Sequence, residues 1–215
     1  MNIVKKKCNY LIIKRIIDNS VAIFSLFILF PIFLLIALLI LVTMGRPIFF
    51  KQMRPGKNAE LFQLYKFRTM TNKRNQNGEI LPDSSRLTAL GSLLRKTSLD
   101  ELPELFNVLK GDMSLVGPRP LLLKYLPYYT ERERLRHTVR PGITGLAQVQ
   151  GRNFSGWKER LNCDVEYIEN LCFSLDIKII CMTIFQVLSA KNVAVNTQSI
   201  EPALDEERKF VNHEP

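Results

Sequence analysis

Histidine is scarce, at two residues in 215, and His137 has no serine or cysteine partner in a nucleophile motif, so it reads as structural rather than as a general base. The four cysteines, Cys8, Cys163, Cys172 and Cys181, show neither C-x-x-C nor zinc-ligand spacing. That excludes the common dithiol and zinc motifs and leaves free thiols in a reducing compartment. No G-x-G-x-x-G and no P-loop occurs, which disfavours the common nucleotide-binding folds. Internal repeats are absent, as is any further bundle of spanning helices. The single long apolar run exceeds the length of a cleavable signal, and no A-x-A-like small-residue site follows it before Arg46.

What the chain does have is positive charge: 30 Lys and Arg against 20 Asp and Glu give +10. This suits an anionic partner, whether phospholipid, nucleotide sugar or nucleic acid. Nucleic acid fares worst, because the cations are interspersed with acids and no recognition motif occurs. The length is compatible with one compact unit, and a hydrophobic share of 47% can supply both a core and a lipid-facing surface.

Residues 21–44 are almost wholly apolar. As a straight helix they reach about 36 Å, enough to cross the hydrocarbon core. Lys5, Lys6, Lys7, Lys14 and Arg15 precede the run while Arg46, Lys51 and Arg54 follow it, so both flanks read as cytoplasmic. Pro31, near the middle, removes one helical hydrogen bond and blocks the preceding turn. Two shapes fit: a spanning helix with a tolerated proline, or a helix-break-helix hairpin that enters and leaves by one face. Asp18, four residues after Lys14, is expected to pair with it or with Arg15 at the interface.

The chain is organised around residues 98–120, SLDELPELFNVLKGDMSLVGPRP. Pro103 is comfortable only in a helix's first turn, which predicts a start within 98–101. Gly111 after Lys110 predicts the stop, giving about three turns with Leu102, Leu105, Phe106 and Leu109 on one apolar face. Two readings of Asp100 and Glu101 stay open. In one, Ser98 and Glu101 form an S-x-x-E capping box and Asp100 favours the helix dipole. In the other, the helix start attracts phosphate, and a carboxylate beside a divalent cation attacks phosphorus. Arg119, between Pro118 and Pro120, presents a guanidinium fork suited to phosphate on a restricted backbone, or is a surface arginine in a stiff loop.

Around this stretch, PIFFKQ and LFQLYKFRT flank the turn-rich RPGKN and predict a β-hairpin. Lys66 and Arg68 would share one strand face, either solvated or phosphate-binding. A polar loop follows, and then RLTALGSLLRK reads as an amphipathic helix with Leu87, Leu90, Leu93 and Leu94 inward, ending at Arg95 and Lys96. Residues 120–141 suit a helix in a membrane interface as well as one on a soluble core. RPGITGLAQVQGR, with three glycines and no helical period, predicts a loop with short strands that lets backbone approach a ligand. Residues 156–172 predict a helix with Trp157, Leu161, Val165, Ile168 and Leu171 inward, and residues 176–190 a more apolar one that touches lipid. The tail from 191 is polar and carries no reading.

The stretch from Arg95 through residue 120, with YKFRTM before it and RPGITGLAQVQGR after it, resembles the bacterial sugar transferase family, the monotopic phosphoglycosyl transferases. It is most similar to the small single-domain type of undecaprenyl-phosphate diacetylbacillosamine phosphate transferases, and the resemblance covers roughly residues 10–190. It implies a re-entrant helix dipping into one leaflet, with the catalytic part on the cytoplasmic face of the bacterial inner membrane. It implies Asp100 and Glu101 as catalytic and magnesium-holding residues, Arg95 in the active site, and Arg152 on the donor's phosphate or sugar. The family's Ser-Pro break reads Phe30-Pro31 here, and its ITGWAQV has Leu146 in place of tryptophan.

The resulting expectation is an α+β fold: a re-entrant membrane helix over 1–46, a catalytic domain over 47–190 with amphipathic interfacial helices and a small irregular sheet, and a polar tail over 191–215. The expected enzyme moves a sugar 1-phosphate from a UDP-sugar to polyprenyl phosphate with magnesium and releases UMP. Asp100 is its nucleophile, and Glu101, Lys66, Arg95, Arg119 and Arg152 assist. Direct attack in a ternary complex is the mechanistic rival, and a non-catalytic basic membrane adaptor the functional one. Sugar specificity is assigned to residues 142–157 and 72–85. The sequence leaves a homo-oligomer open and names no sugar or pathway.

Overall fold

The computed structural model describes residues 2–150, 156–189 and 203–209. It opens with helix α1 (Asn2–Met44), whose helical assignment continues through Pro31. By length and composition, Tyr10–Met44 can cross a membrane, with a mean hydropathy of 3.1 and 11% of its most apolar window buried. Phe24, Phe27, Ile28 and Phe30 face outward, Phe27 with 81% exposure. Both arms nevertheless pack on one folded unit. Ala22 and Leu26 join a core with Leu105, Val108 and Met113, and beyond Pro31, Phe33, Ile36 and Ile40 join another with Phe67 and Leu94.

Polar side chains lock the first arm in place. Lys14 donates to Asp176 Oδ2 at 2.5 Å and sits 3.8 Å from Asp18, so the expected pairing forms, but inside the protein. Tyr10 and Tyr167 donate to the two oxygens of the same Asp176, at 2.5 and 2.7 Å, and Ser114 donates to Asp18 at 2.7 Å. Arg15 donates to the carbonyls of Val108 and Leu109. Buried charges are tolerated here because each is paired or hydrogen-bonded.

The hairpin forms as predicted: β1 (Phe49–Pro55) pairs antiparallel with β2 (Leu61–Phe67), with Phe50 opposite Lys66. Lys66 and Arg68 part company, however. The strand ends at Phe67, and the buried Arg68 turns to donate to the carbonyls of Met44, Gly45 and Arg46, capping the end of α1. After the short α2 (Asp83–Arg86), α3 (Ala89–Lys96) is capped by Thr88, which accepts from Gly91 N–H. Its inner face is narrower than predicted: Leu94 and Leu90 pack inward, Leu93 is exposed, and Leu87 precedes the helix.

The helix expected from 98–101 starts later. Leu99–Glu101 is a single 3-10 turn, and α4 (Glu104–Lys110) begins after Pro103, whose ring sits just ahead of the helix. Ser98 adopts a left-handed φ of 56° and makes no side-chain cap, so the Ser98–Glu101 capping box does not form. Leu105 is buried as expected, whereas Phe106 is 40% exposed against Phe33. Polar residues share the inner face: Asn107, fully buried, accepts from Tyr65 N–H and donates to Gln63 O and Asp112, fastening α4 to β2.

Beyond Gly111, β3 (Ser114–Val116) pairs parallel with β4 (Gly142–Thr144), so the strands form two separate pairs rather than one sheet. Gly117 and Gly142 let these backbones meet: a Cβ on Gly142 would lie 2.1 Å from Gly117 N. The close approach anticipated for a ligand is thus between two chain segments. Residues 120–141 form no long helix. They split into a 3-10 segment Leu123–Tyr128 interrupted by Pro127, α5 (Glu131–Arg134) and another 3-10 turn Leu135–Thr138. A capping box occurs here instead, at Thr130 and Glu133. His137 is half-buried on Gly56 O at 3.1 Å, and burial then Arg136 push its ring down to about 4, so it stays neutral.

Residues 146–150 are helical (α6, Leu146–Gln150) rather than loop, and Leu146 is buried with Val116, Val149 and Tyr167. The position therefore packs in the core. Helix α7 (Trp157–Glu169) buries Leu161 and Val165 as predicted, and α8 (Phe173–Leu188) leaves Phe173, Ile184 and Phe185 exposed. Part of the polar tail, which carried no reading, is docked. In α9 (Leu204–Lys209), Leu204 is fully buried beside Tyr125 and Tyr129, and Arg208 donates to both oxygens of Glu133.

Arg136, 3% exposed, is the hub of the 119–164 region. It donates to Asp164 Oδ2 at 2.8 Å, to Tyr129 Oη at 2.9 Å and to Arg119 O at 2.7 Å. Asp164→Ala leaves this buried cation unpaired, and equilibrium unfolding in detergent is expected to show a loss of about 3–5 kcal/mol. A loss below about 1 kcal/mol would mean that the pair is effectively solvated.

Candidate active site

Four segments converge on a cleft of about 1040 Å³: the hairpin, α3 with the 3-10 turn, the Pro118–Arg119–Pro120 loop, and α1 with α8. Alternation along β2 aims Lys66 at the turn carrying Glu101. Lys66 Nζ lies 2.5 Å from Glu101 Oε1 and 3.2 Å from Glu104 Oε1. Arg119 Nη2 reaches the same Glu101 oxygen at 2.7 Å. Arg95 is steadied by its Nε donating to Thr69 Oγ1 at 3.1 Å and also lines the cleft.

The two adjacent carboxylates thus have different surroundings. Burial alone would raise Glu101, but the Arg119 guanidinium and Lys66 ammonium hold it at about 2. Asp100 makes no hydrogen bond or ion pair among the described residues and borders the cleft. Its carboxyl is raised by burial and by Glu101, against the pull of Lys66, Arg95 and Arg119. Asp100 is therefore a desolvated carboxyl without a side-chain partner among the described residues, with three cations near it, the kind of environment in which perturbed groups at functional sites are found. Glu101, by contrast, is an anchor.

Of the predicted site residues, Lys66, Arg95, Asp100, Glu101 and Arg119 come together. Arg152 lies outside the described residues. Parts of both stretches assigned to specificity reach the cleft, through Asn72 and Asp83 on one side and Thr144 and Gln148 on the other. Three residues went unread. Arg54 lines the cleft, Glu104 lies beneath Lys66, and Arg136 holds the Arg119 backbone. Arg54 was accessible once the hairpin was placed, since it lies four residues from Phe50, the partner of Lys66.

Among the described residues no group of three or more His, Cys, Asp or Glu could hold a metal. Magnesium often uses only one or two carboxylates, completing its shell with water and substrate phosphate. Asp100 fits that mode. Glu101 fits less well, because its Oε1 is already taken by two cations.

The opposite wall of the cleft is apolar, with Val21 and Leu29 of α1 and Ile180 and Ile184 of α8, so the charged site opens toward the membrane-directed helix. The cleft thus joins a cluster of charged side chains to apolar residues of the long helix that can cross a membrane. The family described as Bacterial sugar transferase matches residues 9–190. The uncharacterized sugar transferase EpsL of Bacillus subtilis (strain 168) is 51% identical over 85% of this chain and 91% of its own length. A UDP-glucose:undecaprenyl-phosphate glucose-1-phosphate transferase of Xanthomonas campestris pv. campestris is 39% identical over 85% of this chain and 40% of its own length. A UDP-N-acetylgalactosamine-undecaprenyl-phosphate N-acetylgalactosaminephosphotransferase of Aeromonas hydrophila is 38% identical over 84% of this chain and 44% of its own. The chain thus spans under half of these last two relatives. It belongs to the bacterial sugar transferase family and is a phosphoglycosyl transferase.

Glu104 provides a pH test. Its carboxyl is raised by burial to about 7, against an ordinary 4.5, despite Lys66. The protonated form is favoured by folding, so its contribution is full below pH 4.5 and lost as pH rises through about 7. Glu104→Gln keeps a neutral side chain, so it is expected to melt above wild type at pH 8 and to converge with it below pH 4.5. An unchanged difference across that range would show that Glu104 stays ionised when folded.

Proposed function

We propose that this chain transfers a sugar 1-phosphate from a UDP-sugar to undecaprenyl phosphate through a covalent Asp100 intermediate. The observation that carries this reading is the contrast between Glu101, neutralised by Lys66 and Arg119, and Asp100, left without a partner in the same cleft. An Asp100 oxygen forms a bond to the sugar-linked phosphorus while the bond from that phosphorus to the bridging diphosphate oxygen breaks, and UMP leaves with the electron pair. An oxygen of the lipid phosphate then attacks the same phosphorus and frees Asp100, giving the lipid diphosphosugar. One site serves both substrates in turn, so the kinetics are ping-pong.

Lys66, Arg95 and Arg119 offset the repulsion between carboxylate and diphosphate in a partly desolvated cleft. Asp100 would be the residue to hold a magnesium ion, which would supply further neutralisation of phosphate charge. The apolar wall from α1 and α8 suits an acceptor whose chain stays in lipid while its phosphate reaches Asp100.

Mixing enzyme with labelled UDP-sugar without acceptor is expected to release about one UMP per site and leave label on Asp100. Asp100→Asn is expected to abolish the burst while staying membrane-bound, and chelator to suppress it. Label appearing only when acceptor is present would favour the ternary complex, and full membrane function of Asp100→Asn would favour the adaptor.

We further infer a re-entrant topology at the cytoplasmic face of the bacterial inner membrane. Packing of both α1 arms on one folded unit supports it, since a span would separate its ends by the bilayer. Single cysteines introduced at Lys5 and at the exposed Lys57 are expected to be labelled from the cytoplasm in cells lacking other reactive thiols. Labelling from opposite sides would establish a span.

A further inference from the structure

The hairpin carries a second cation on the face that carries Lys66. Phe50 lies opposite Lys66, Gln52 opposite Leu64 and Arg54 opposite Phe62. Directly opposed residues project to one side of a sheet, so Arg54, Gln52 and Lys66 share a face. All three line the cleft with Asp100 and Arg119.

Arg54 Nη2 donates to Gln52 Oε1 at 2.7 Å, which orients the guanidinium without neutralising it. Its Nε is buried and has no hydrogen-bond partner, as is true of Arg68 and Arg86, but those two place their other nitrogens on main-chain carbonyls and on Asp83 respectively, whereas Arg54 has neither a main-chain nor a carboxylate acceptor. No carboxylate among the described residues pairs with it: Glu101 is taken by Lys66 and Arg119, Glu104 by Lys66, and Asp83 by Arg86. Burial, and then Arg119, lower its affinity for a proton, placing two like charges at one opening.

The structural arginines of this fold behave differently. Arg15, Arg68, Arg136 and Arg140 each donate to main-chain carbonyls, fastening one segment to another. Arg54 donates to no main-chain carbonyl among the described residues and fastens no second segment, so its half-buried guanidinium has donors left over for an acceptor. Four residues of strand separate Arg54 from the partner of Lys66, about 13 Å along the hairpin. That places it away from the Asp100 end.

We propose that Arg54 binds a phosphoryl group other than the one Asp100 attacks, either the departing nucleoside monophosphate's or the acceptor's. The proposal rests on the transferase reading above and assigns a residue and a second anion subsite to it. The fork of a guanidinium suits two phosphate oxygens, and Gln52 holds it in the plane needed to present them.

The test compares wild type, Arg54→Gln and Arg54→Lys in nanodiscs, using UDP binding by calorimetry and steady-state kinetics with the UDP-sugar that wild type turns over and undecaprenyl phosphate. If the donor is the source, Arg54→Gln weakens UDP and raises the UDP-sugar KM by about tenfold or more, with a smaller change in kcat. If the acceptor is the source, UDP binding is unchanged and the undecaprenyl phosphate KM rises by a similar factor. Arg54→Lys is expected to recover part of the loss, since it keeps charge but not the fork. Should Arg54→Gln fail to fold, Arg54→Lys carries the comparison, with an intermediate KM shift expected. Both KM values and UDP affinity within twofold of wild type overturn the proposal. So does a fall in kcat matched by a fall in melting temperature without a KM change, which would mark a structural arginine. Wild type that binds UDP but releases no UMP from any UDP-sugar would instead sink the transferase reading, leaving the binding comparison able to judge Arg54.

Discussion

The pairing of one Glu101 oxygen with both Lys66 and Arg119 is the interaction on which the site depends. It ties together the hairpin, the 3-10 turn before α4, and the proline-flanked loop, three segments that share no hydrogen-bonded sheet. Each is anchored again from behind. Asn107 fastens α4 to β2, and Arg136 holds the carbonyl of Arg119 from a buried pair with Asp164. A carboxylate spent on this junction cannot also act as nucleophile, and its neighbour Asp100 is thereby left free. The two adjacent acids are therefore unequal in kind, and the inequality comes from tertiary contacts rather than from position in a helix.

The membrane-directed helix is held by the same logic. Its apolar surface looks outward, yet Lys14, Arg15 and Asp18 are turned inward and consumed by partners on α8, α4 and β3. Lipid would tolerate these charges poorly at depth, so their burial fixes how far the first arm can move from the catalytic unit. Arg68 does the same at the far end by capping Met44, Gly45 and Arg46. The cleft lies between these two fastenings. Residues Val21 and Leu29 can line it only because the helix is pinned on either side.

Much of this was legible in residue patterns. The alternation around RPGKN marked the hairpin, the 3.6-residue period marked α7, and the crowd of chemistry in 98–120 marked the cleft. Local rules failed where tertiary contacts outbid them. Ser98 and Glu101 satisfy the spacing of a capping box, but Ser98 is left-handed and Glu101 pairs with two cations, whereas at Thr130 and Glu133 the box forms even though Glu133 also pairs with Arg208. Residues 120–141 have a composition that suits a helix, yet Pro127 and the buried demands of Tyr125, Tyr129 and Arg136 divide them into short turns. Glu104 and Asn107 lie on the side of the helix opposite Leu102, Leu105, Phe106 and Leu109, where periodicity predicts exposure, yet both are buried, because periodicity carries no information about a specific polar partner across the core. Leu146, which stands where the family has tryptophan, is a core residue.

The arrangement also bears on why a two-step transfer suits this scaffold. A diphosphate donor and a lipid phosphate are both anions, and gathering both beside an aspartate would concentrate more negative charge than the nearby cations offset. Lys66 and Arg119 already share one acid, which leaves Arg95 and Arg54 as the guanidinium groups least committed within the described cleft. Letting UMP depart before the lipid phosphate enters halves the demand on those cations. The charge inventory of the cleft therefore favours sequential over simultaneous occupancy by two anionic substrates, independently of any nucleophile argument.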